Sequence, residues 1–86
     1  MKKYSKRIEM KTFYKLLSYS FEKGPQKKTN MATNCKMSYT RFVPILYSMI
    51  LFGFLEIENT PSGRVKITEQ GKNVLEKLQN VKDIHD

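Results

Sequence analysis

The sequence contains no tryptophan, and it has only one cysteine and one histidine. A single cysteine excludes an intramolecular disulfide, and Cys35 with His85 cannot assemble a Cys/His zinc site within one chain. A lone free cysteine is typical of proteins in a reducing cytosol, which indicates a cytoplasmic protein. We therefore expect no structural metal ion and no cofactor.

Long apolar runs are also missing. The most apolar stretch, residues 42–55, spans 14 positions and includes Pro44 and Gly53. It is too short to cross a bilayer and indicates a buried helix. No apolar run follows the basic residues 1–7, so a secretory signal is not expected there. The sequence predicts no contact with a membrane.

Catalytic side chains in a workable pattern are scarce. The chain has no glycine-rich phosphate loop, and its one histidine is close to the C-terminus. Glu56 and Glu58 are two positions apart in a predicted strand, with no cleft indicated beside them. The sequence predicts neither an enzyme nor a small-molecule site.

Acidic residues are few, and most lie in the second half of the chain. Lys and Arg number 16 against 8 Asp and Glu, a formal net charge of +8. Residues 1–41 carry 11 of the basic residues and only two acidic ones, Glu9 and Glu22. This asymmetry indicates either a surface that faces a polyanion or a solvated, lysine-rich surface. The 40% hydrophobic content is enough for one modest core.

Two helices are predicted in the first half. Residues 8–23 carry an apolar stripe of Phe13, Leu16, Leu17 and Phe21, in which Ser20 is the only polar residue. Gly24 and Pro25 end this helix. A polar loop follows at residues 25–28. A short second helix is then predicted at residues 29–35, with Thr29 as its N-cap and Met31, Ala32 and Cys35 facing inward.

A third helix, a hairpin and a fourth helix follow. Ser38 is the predicted N-cap of the third helix, whose stripe is Phe42, Ile45, Leu46, Met49 and Ile50. Gly53 and Phe54 fit a Schellman ending. Leu55 and Ile57 alternate into a turn at residues 59–63, and Val65 and Ile67 alternate back. Thr68 is the predicted cap of the last helix, in whose first turn Gly71 permits a close approach of another element.

This order of elements predicts a mostly helical α+β fold, a winged helix-turn-helix with a three-helix core, a two-stranded β-hairpin wing and a C-terminal helix. Residues 1–86 form one domain in this interpretation. It has a basic tail at residues 1–7, a wing at residues 54–68 and a C-terminal helix at residues 69–83. The third helix, residues 38–52, would enter the major groove of DNA.

Three short motifs carry a resemblance over residues 8–80. Met37-Ser38-Tyr39, the run of residues 51–56 and the run of residues 67–72 are similar to those of small archaeal winged-helix DNA-binding proteins. In that family these steps begin the recognition helix, lead into the wing and begin the last helix. Lys36 stands where the family often has Asn or Gly, and Pro44 is unusual. The resemblance implies a transcriptional regulator.

The predicted DNA contacts follow from this layout. Arg41 is a candidate for a bidentate guanine contact, and Ser38 or Thr40 for a phosphate or base. Tyr39 can instead be a partly buried turn residue, and Arg41 an ordinary solvated arginine. Arg64 and Lys66 can instead be charged residues that keep an exposed hairpin edge from pairing with another strand. The full set is Lys27, Lys28, Lys36, Ser38, Tyr39, Thr40, Arg41, Pro44, Ser48, Arg64 and Lys66.

A second apolar stripe on the third helix has two explanations. It can pack under the first or last helix, or it can form a homodimer interface. The predicted interface residues are Val43, Tyr47, Leu51, Leu78 and Val81.

The leading functional interpretation is a sequence-specific regulator of double-stranded DNA, a homodimeric repressor in the cytoplasm that associates with the nucleoid. The alternatives are a non-specific architectural DNA binder and a winged-helix protein-interaction module.

Overall fold

The computed structural model describes the backbone of residues 9–85 and the side chains of residues 9–80. The basic tail predicted at residues 1–7 lies outside this range. The elements in chain order are α1 (Met10–Lys23), α2 (Lys28–Asn34), α3 (Tyr39–Leu51), β1 (Leu55–Ile57), β2 (Val65–Ile67) and α4 (Glu69–His85). This arrangement confirms the predicted fold class.

One hydrophobic core joins the helices to the hairpin. Its fully buried apolar side chains come from α1, α2, α3 and both strands, and burying each contributes about 1.5–3 kcal/mol. They are Leu16, Leu17, Met31, Phe42, Leu46, Met49, Leu55 and Val65. Because α3 supplies three of them, the core fixes which face of this helix points away from the protein.

The inner face of α1 differs from the prediction at its C-terminal end. Phe21, predicted to be in the core, is 54% exposed, whereas Ser20 is buried. The reason is helical geometry: Ser20 lies four positions after Leu16 and three after Leu17, in the middle of the buried face. The Ser20 hydroxyl has no hydrogen-bond partner among the described residues.

The start of α2 also differs from the prediction. Lys27, in an extended conformation, occupies the N-cap position, and Thr29 lies inside the first turn. Thr29 as N-cap is therefore wrong. The Lys27 carbonyl already accepts the first helical bond, from the Met31 amide at 2.9 Å. The inward positions of Met31, Ala32 and Cys35 are confirmed by their burial.

A Schellman motif ends α2 and makes the turn into α3. The Lys36 amide donates to the Thr33 carbonyl at 3.0 Å, and the Met37 amide donates to the Ala32 carbonyl at 2.9 Å. Lys36 takes the left-handed conformation, with φ of 60°. Lysine thus occupies the position where this motif favours glycine or asparagine.

Both ends of α3 are as predicted. The Ser38 hydroxyl accepts from the Arg41 amide at 3.3 Å, which is an N-cap bond. At the other end, the Phe54 amide donates to the Met49 carbonyl and the Gly53 amide to the Ile50 carbonyl, both at 2.9 Å. The helix runs through Pro44 without a break.

The hairpin has the predicted pairing of apolar residues. Leu55 faces Ile67 and Ile57 faces Val65 in an antiparallel register. One residue of the predicted polar loop at residues 25–28 forms an isolated β-bridge with this sheet. Gln26 and Val65 exchange two backbone hydrogen bonds, of 3.0 and 2.8 Å. The hairpin is thereby held against the end of α1.

Thr68 and Gly71 fix the start of α4. The Thr68 hydroxyl accepts from the Gly71 amide at 2.9 Å and donates to the Gly53 carbonyl at 2.6 Å. A Cβ on Gly71 would overlap the Phe54 carbonyl oxygen and the Ile67 side chain. The predicted cap and the predicted close approach are therefore confirmed. The helix extends to His85, two positions beyond the predicted end.

Within the described part of the chain, no helix is long and apolar enough to cross a membrane.

Candidate nucleic-acid interface

The surface of α3 opposite the core is fully available to a partner. Four exposed residues are spaced four, three and four positions apart, which places them on one side of the helix. They are Thr40, Pro44, Tyr47 and Leu51. We call these four residues the outward face of α3. Arg41 and Ser48 lie at one edge of it. In a winged helix this is the surface that can enter the major groove.

The first turn of α3 presents two hydroxyls and a guanidinium. Ser38, Thr40 and Arg41 are exposed. The Ser38 oxygen accepts from the Arg41 amide, so its own proton is available to a phosphate oxygen. Tyr39 is 45% exposed, and its ring lies 6.1 Å from that of the buried Phe42. Tyr39 therefore packs partly on the core while its remaining surface faces outward.

A lysine joins the start of α2 to the middle of α3. The Lys28 ammonium donates to the Tyr47 hydroxyl at 3.3 Å and lies 5.8 Å from the centre of the Tyr47 ring. This contact places a positive charge beside the outward face of α3. The phenol keeps its own proton for a further acceptor, such as a phosphate oxygen.

The segment that contains this helix pair has no acidic residue. Residues 23–55 contain five Lys or Arg residues and no Asp or Glu. Lys27 and Lys36 are exposed on either side of α2. The predicted DNA contacts in α2, in the turn after it and in α3 therefore lie in one continuous segment whose charged side chains are all positive. A polyanion suits such a surface.

The two predicted wing residues are in different surroundings. Arg64 is half-buried, and its carbonyl accepts from the Glu58 amide at 2.8 Å. The Lys66 ammonium lies 3.8 Å from the Glu56 carboxylate, opposite it in the sheet. Lys66 also lines a groove with Glu69 and Lys72, which does not include α3. Acidic neighbours thus reduce the positive potential at Lys66, whose DNA contact stays a prediction.

The predicted dimer residues do not form one exposed surface. Val43 and Leu78 are partly buried against the core. Tyr47 and Leu51, the latter 83% exposed, lie on the same face as Thr40 and Pro44. The Val81 side chain lies outside the described residues. A dimer formed through Tyr47 and Leu51 would therefore cover the helix surface that the DNA prediction uses.

Two polar contacts that support the helix pair were not expected from the sequence. The Lys15 ammonium on α1 donates to the Cys35 carbonyl at the end of α2, at 3.1 Å. The Tyr19 hydroxyl accepts from Asn34 at 2.8 Å and donates to the Gln26 side chain at 3.3 Å. The Lys15–Cys35 and Tyr19–Asn34 bonds join residues distant in the chain, and no local pattern signals them. These two bonds link α2 and its C-cap to α1.

Cys35 is a core residue rather than a reactive site. Its burial raises the pKa of the thiol, and the nearby Lys15 ammonium lowers it to a smaller extent. The thiol is therefore neutral at physiological pH. Among the described residues, no group of histidine, cysteine and carboxylate side chains is arranged to hold a metal ion.

The sequence over residues 6–86 matches the family described as winged helix-turn-helix. This chain belongs to the winged helix-turn-helix family. No curated protein sequence matches it.

Several solved structures of bacterial proteins have the same fold as this winged-helix chain. They include a MarR family transcriptional regulator from Silicibacter pomeroyi, with 20% identity, 86% of this chain covered and a TM-score of 0.74. A MarR family protein from Bacillus stearothermophilus has 13% identity, 95% coverage and a TM-score of 0.77. A probable transcriptional regulator from Pseudomonas aeruginosa has 16% identity, 94% coverage and a TM-score of 0.76.

This winged-helix chain spans only part of the length of these proteins. The alignment covers 54%, 59% and 64% of the three structures, respectively. The similarity therefore concerns the fold. The archaeal part of the sequence resemblance stays a prediction.

Proposed function

We propose that this protein is a transcriptional regulator that reads a specific sequence of double-stranded DNA with α3. The observation that carries the proposal is the outward face of α3, exposed along its whole length within a segment that has five basic and no acidic residues. A helix presented in this way can insert its side chains among base edges while the surrounding cations neutralise phosphates.

Each predicted group has a distinct task in this proposal. Arg41, at the edge of the outward face, can donate two parallel hydrogen bonds to a guanine. In this proposal Lys27, Lys28 and Lys36 bind phosphates, and Ser38 donates its hydroxyl proton to one. The wing residues Arg64 and Lys66 would contact the adjacent backbone or minor groove.

The proposed regulator is a homodimeric repressor that blocks a promoter by covering it. The dimer would use α1 and α4, because a contact through Tyr47 and Leu51 would cover the outward face of α3. Met10 on α1 is 63% exposed, and Phe21 on the same helix is also exposed. These two are 11 positions apart and therefore share a face. Leu78 and Val81 on α4 are the predicted partners.

A DNA-binding regulator acts where the chromosome is, so the proposal places the protein in the cytoplasm, associated with the nucleoid.

The test is selection from a random duplex pool at about 200 mM salt, at which binding driven by charge alone is much weakened. A sequence motif in the retained duplexes would support the proposal, and two-fold symmetry in the motif would support a dimer. Retention at low salt that disappears at high salt without a motif would overturn specific recognition and indicate an architectural binder. Absence of retention at either salt would overturn DNA binding and leave the exposed Leu51 and Phe52 as a protein-contact surface.

A further inference from the structure

The outward face of α3 carries no side chain that can form two parallel hydrogen bonds with a purine base. Its four residues are Thr40, Pro44, Tyr47 and Leu51, and none of them is an amide, carboxylate or cation. The bidentate readers of adenine and guanine are Asn, Gln, Arg and Lys. On this helix only Arg41, at the edge, belongs to that group.

Pro44 is the clearest case. It is exposed near the middle of the outward face, and α3 runs through it. Proline has no N–H, and its ring offers only apolar surface. Thr40, one turn earlier, adds a methyl group beside its hydroxyl. At these positions α3 therefore offers a partner mainly apolar surface, which makes van der Waals contacts.

We infer that the outward face of α3 recognises thymine C5-methyl groups in the major groove, so that the preferred sites are rich in A·T pairs beneath Thr40 and Pro44. Thymine is the one standard DNA base that presents a methyl group there, and apolar side chains contact it favourably. This inference rests on the proposed function and adds the base type that α3 selects.

Charge complementarity favours DNA over an apolar protein partner for this face. The Lys28 ammonium lies within 3.3 Å of the Tyr47 hydroxyl, and Arg41 borders the same face. The surrounding segment 23–55 has no carboxylate to balance its five cations. A partner that combines methyl groups with a dense array of negative charges fits this surface, and the thymine-containing major groove has both.

The test replaces thymine by uracil, one position at a time, in the motif recovered by selection. Uracil lacks only the methyl group, so hydrogen bonding, base pairing and phosphates are unchanged. Equilibrium binding of the full chain should weaken roughly fourfold for each methyl group that α3 contacts. Uracil in the flanking sequence should have no effect.

Two variants assign the effect to the helix. In Pro44→Ser, replacing thymine by uracil at the contacted position should change the binding affinity by a factor close to one. The reason is that the apolar side chain that contacts the methyl group is gone. Pro25→Ser is the matched control, since Pro25 is an exposed proline outside α3, and it should keep the full effect. Thermal unfolding of each variant establishes that it is folded.

The outcomes separate this inference from the proposed function. A recovered motif whose binding is unchanged by uracil at every position would overturn the inference and leave specific DNA binding intact. A uracil effect that persists in Pro44→Ser and in Thr40→Ser would overturn the assignment to this face. Failure to recover any motif would overturn both.

Discussion

Lys36 adopts a backbone conformation that side chains with a Cβ rarely take. Its φ of 60° is the one positive value at a residue other than glycine within the described range. Such a residue stores about 1 kcal/mol of strain or more. Lys36 lies next to α3, and in our proposal its ammonium binds a phosphate.

Replacing Lys36 by glycine should stabilise the free protein. We expect Lys36→Gly to raise the free energy of unfolding by about 1 kcal/mol, because glycine adopts positive φ without a steric penalty. Lys36→Ala is the matched control: it removes the same charge but keeps the Cβ, and should not stabilise. Urea unfolding measures both, and equal stability of the two variants would show that the backbone strain is absent.

Burial of Cys35 makes a prediction about pH. Because burial raises the pKa of the thiol in the folded protein, the unfolded chain loses this proton first as the pH rises. The unfolded chain then binds fewer protons than the folded one, so the free energy of unfolding should fall above about pH 8.5. Below that pH both states hold the proton and the thiol causes no change.

The Cys35→Ala variant isolates this effect from other groups that titrate at high pH. Wild type should lose more stability than Cys35→Ala as the pH is raised, measured by urea unfolding at a series of pH values. Parallel curves for the two proteins would contradict the assignment.

At the scale of elements, the sequence predicted what local patterns control. Ser38 caps α3, Gly53 and Phe54 end it, and the hairpin pairs as the alternation requires. These features depend on residues within a few positions of each other. The bridge between Gln26 and Val65 was not predictable, since it joins distant backbone groups with no side-chain signature.

Hydrophobicity alone misplaces one residue of the core. The apolar stripe of α1 predicts Phe21 in the core, but the helical period centres the small Ser20 there and leaves Phe21 exposed. Tyr47 belongs to the predicted dimer interface and lies beside Lys28 on the outward face of α3, so its part in a dimer stays a prediction. Apolar character alone cannot tell a face that packs on the protein from one that packs on a partner.

The contact of α4 with the hairpin yields a prediction about packing. Gly71 lies so close to the Phe54 carbonyl that no Cβ fits without movement. We expect Gly71→Ala to lower the free energy of unfolding by roughly 1–3 kcal/mol, despite alanine's better helix propensity. Asn73→Ala, two residues on and exposed, is the control and should be near neutral or slightly stabilising. A Gly71→Ala variant as stable as Asn73→Ala would show that α4 and the hairpin are farther apart.

For the whole molecule, the distribution of charge separates two surfaces. The segment of residues 23–55, which contains α2 and α3, has five cations and no acidic residue, whereas Lys66 and Lys72 each lie within 4.0 Å of a carboxylate. Exposed pairs of this kind contribute little to stability, but they reduce the local positive potential. We therefore expect the DNA specificity of this protein to depend on α3 and not on positive charge in general.

Two variants of equal net charge separate the contribution of α3 from that of charge. For each variant, the affinity for the selected motif is divided by the affinity for a scrambled duplex, at one salt concentration. Arg41→Ala removes the predicted base contact, and Lys77→Ala removes an exposed cation on α4. We predict that Arg41→Ala lowers the ratio by roughly 5- to 150-fold, corresponding to the ~1–3 kcal/mol of one bidentate base contact. Lys77→Ala should leave the ratio unchanged. Equal ratios in the two variants would contradict the assignment of specificity to α3.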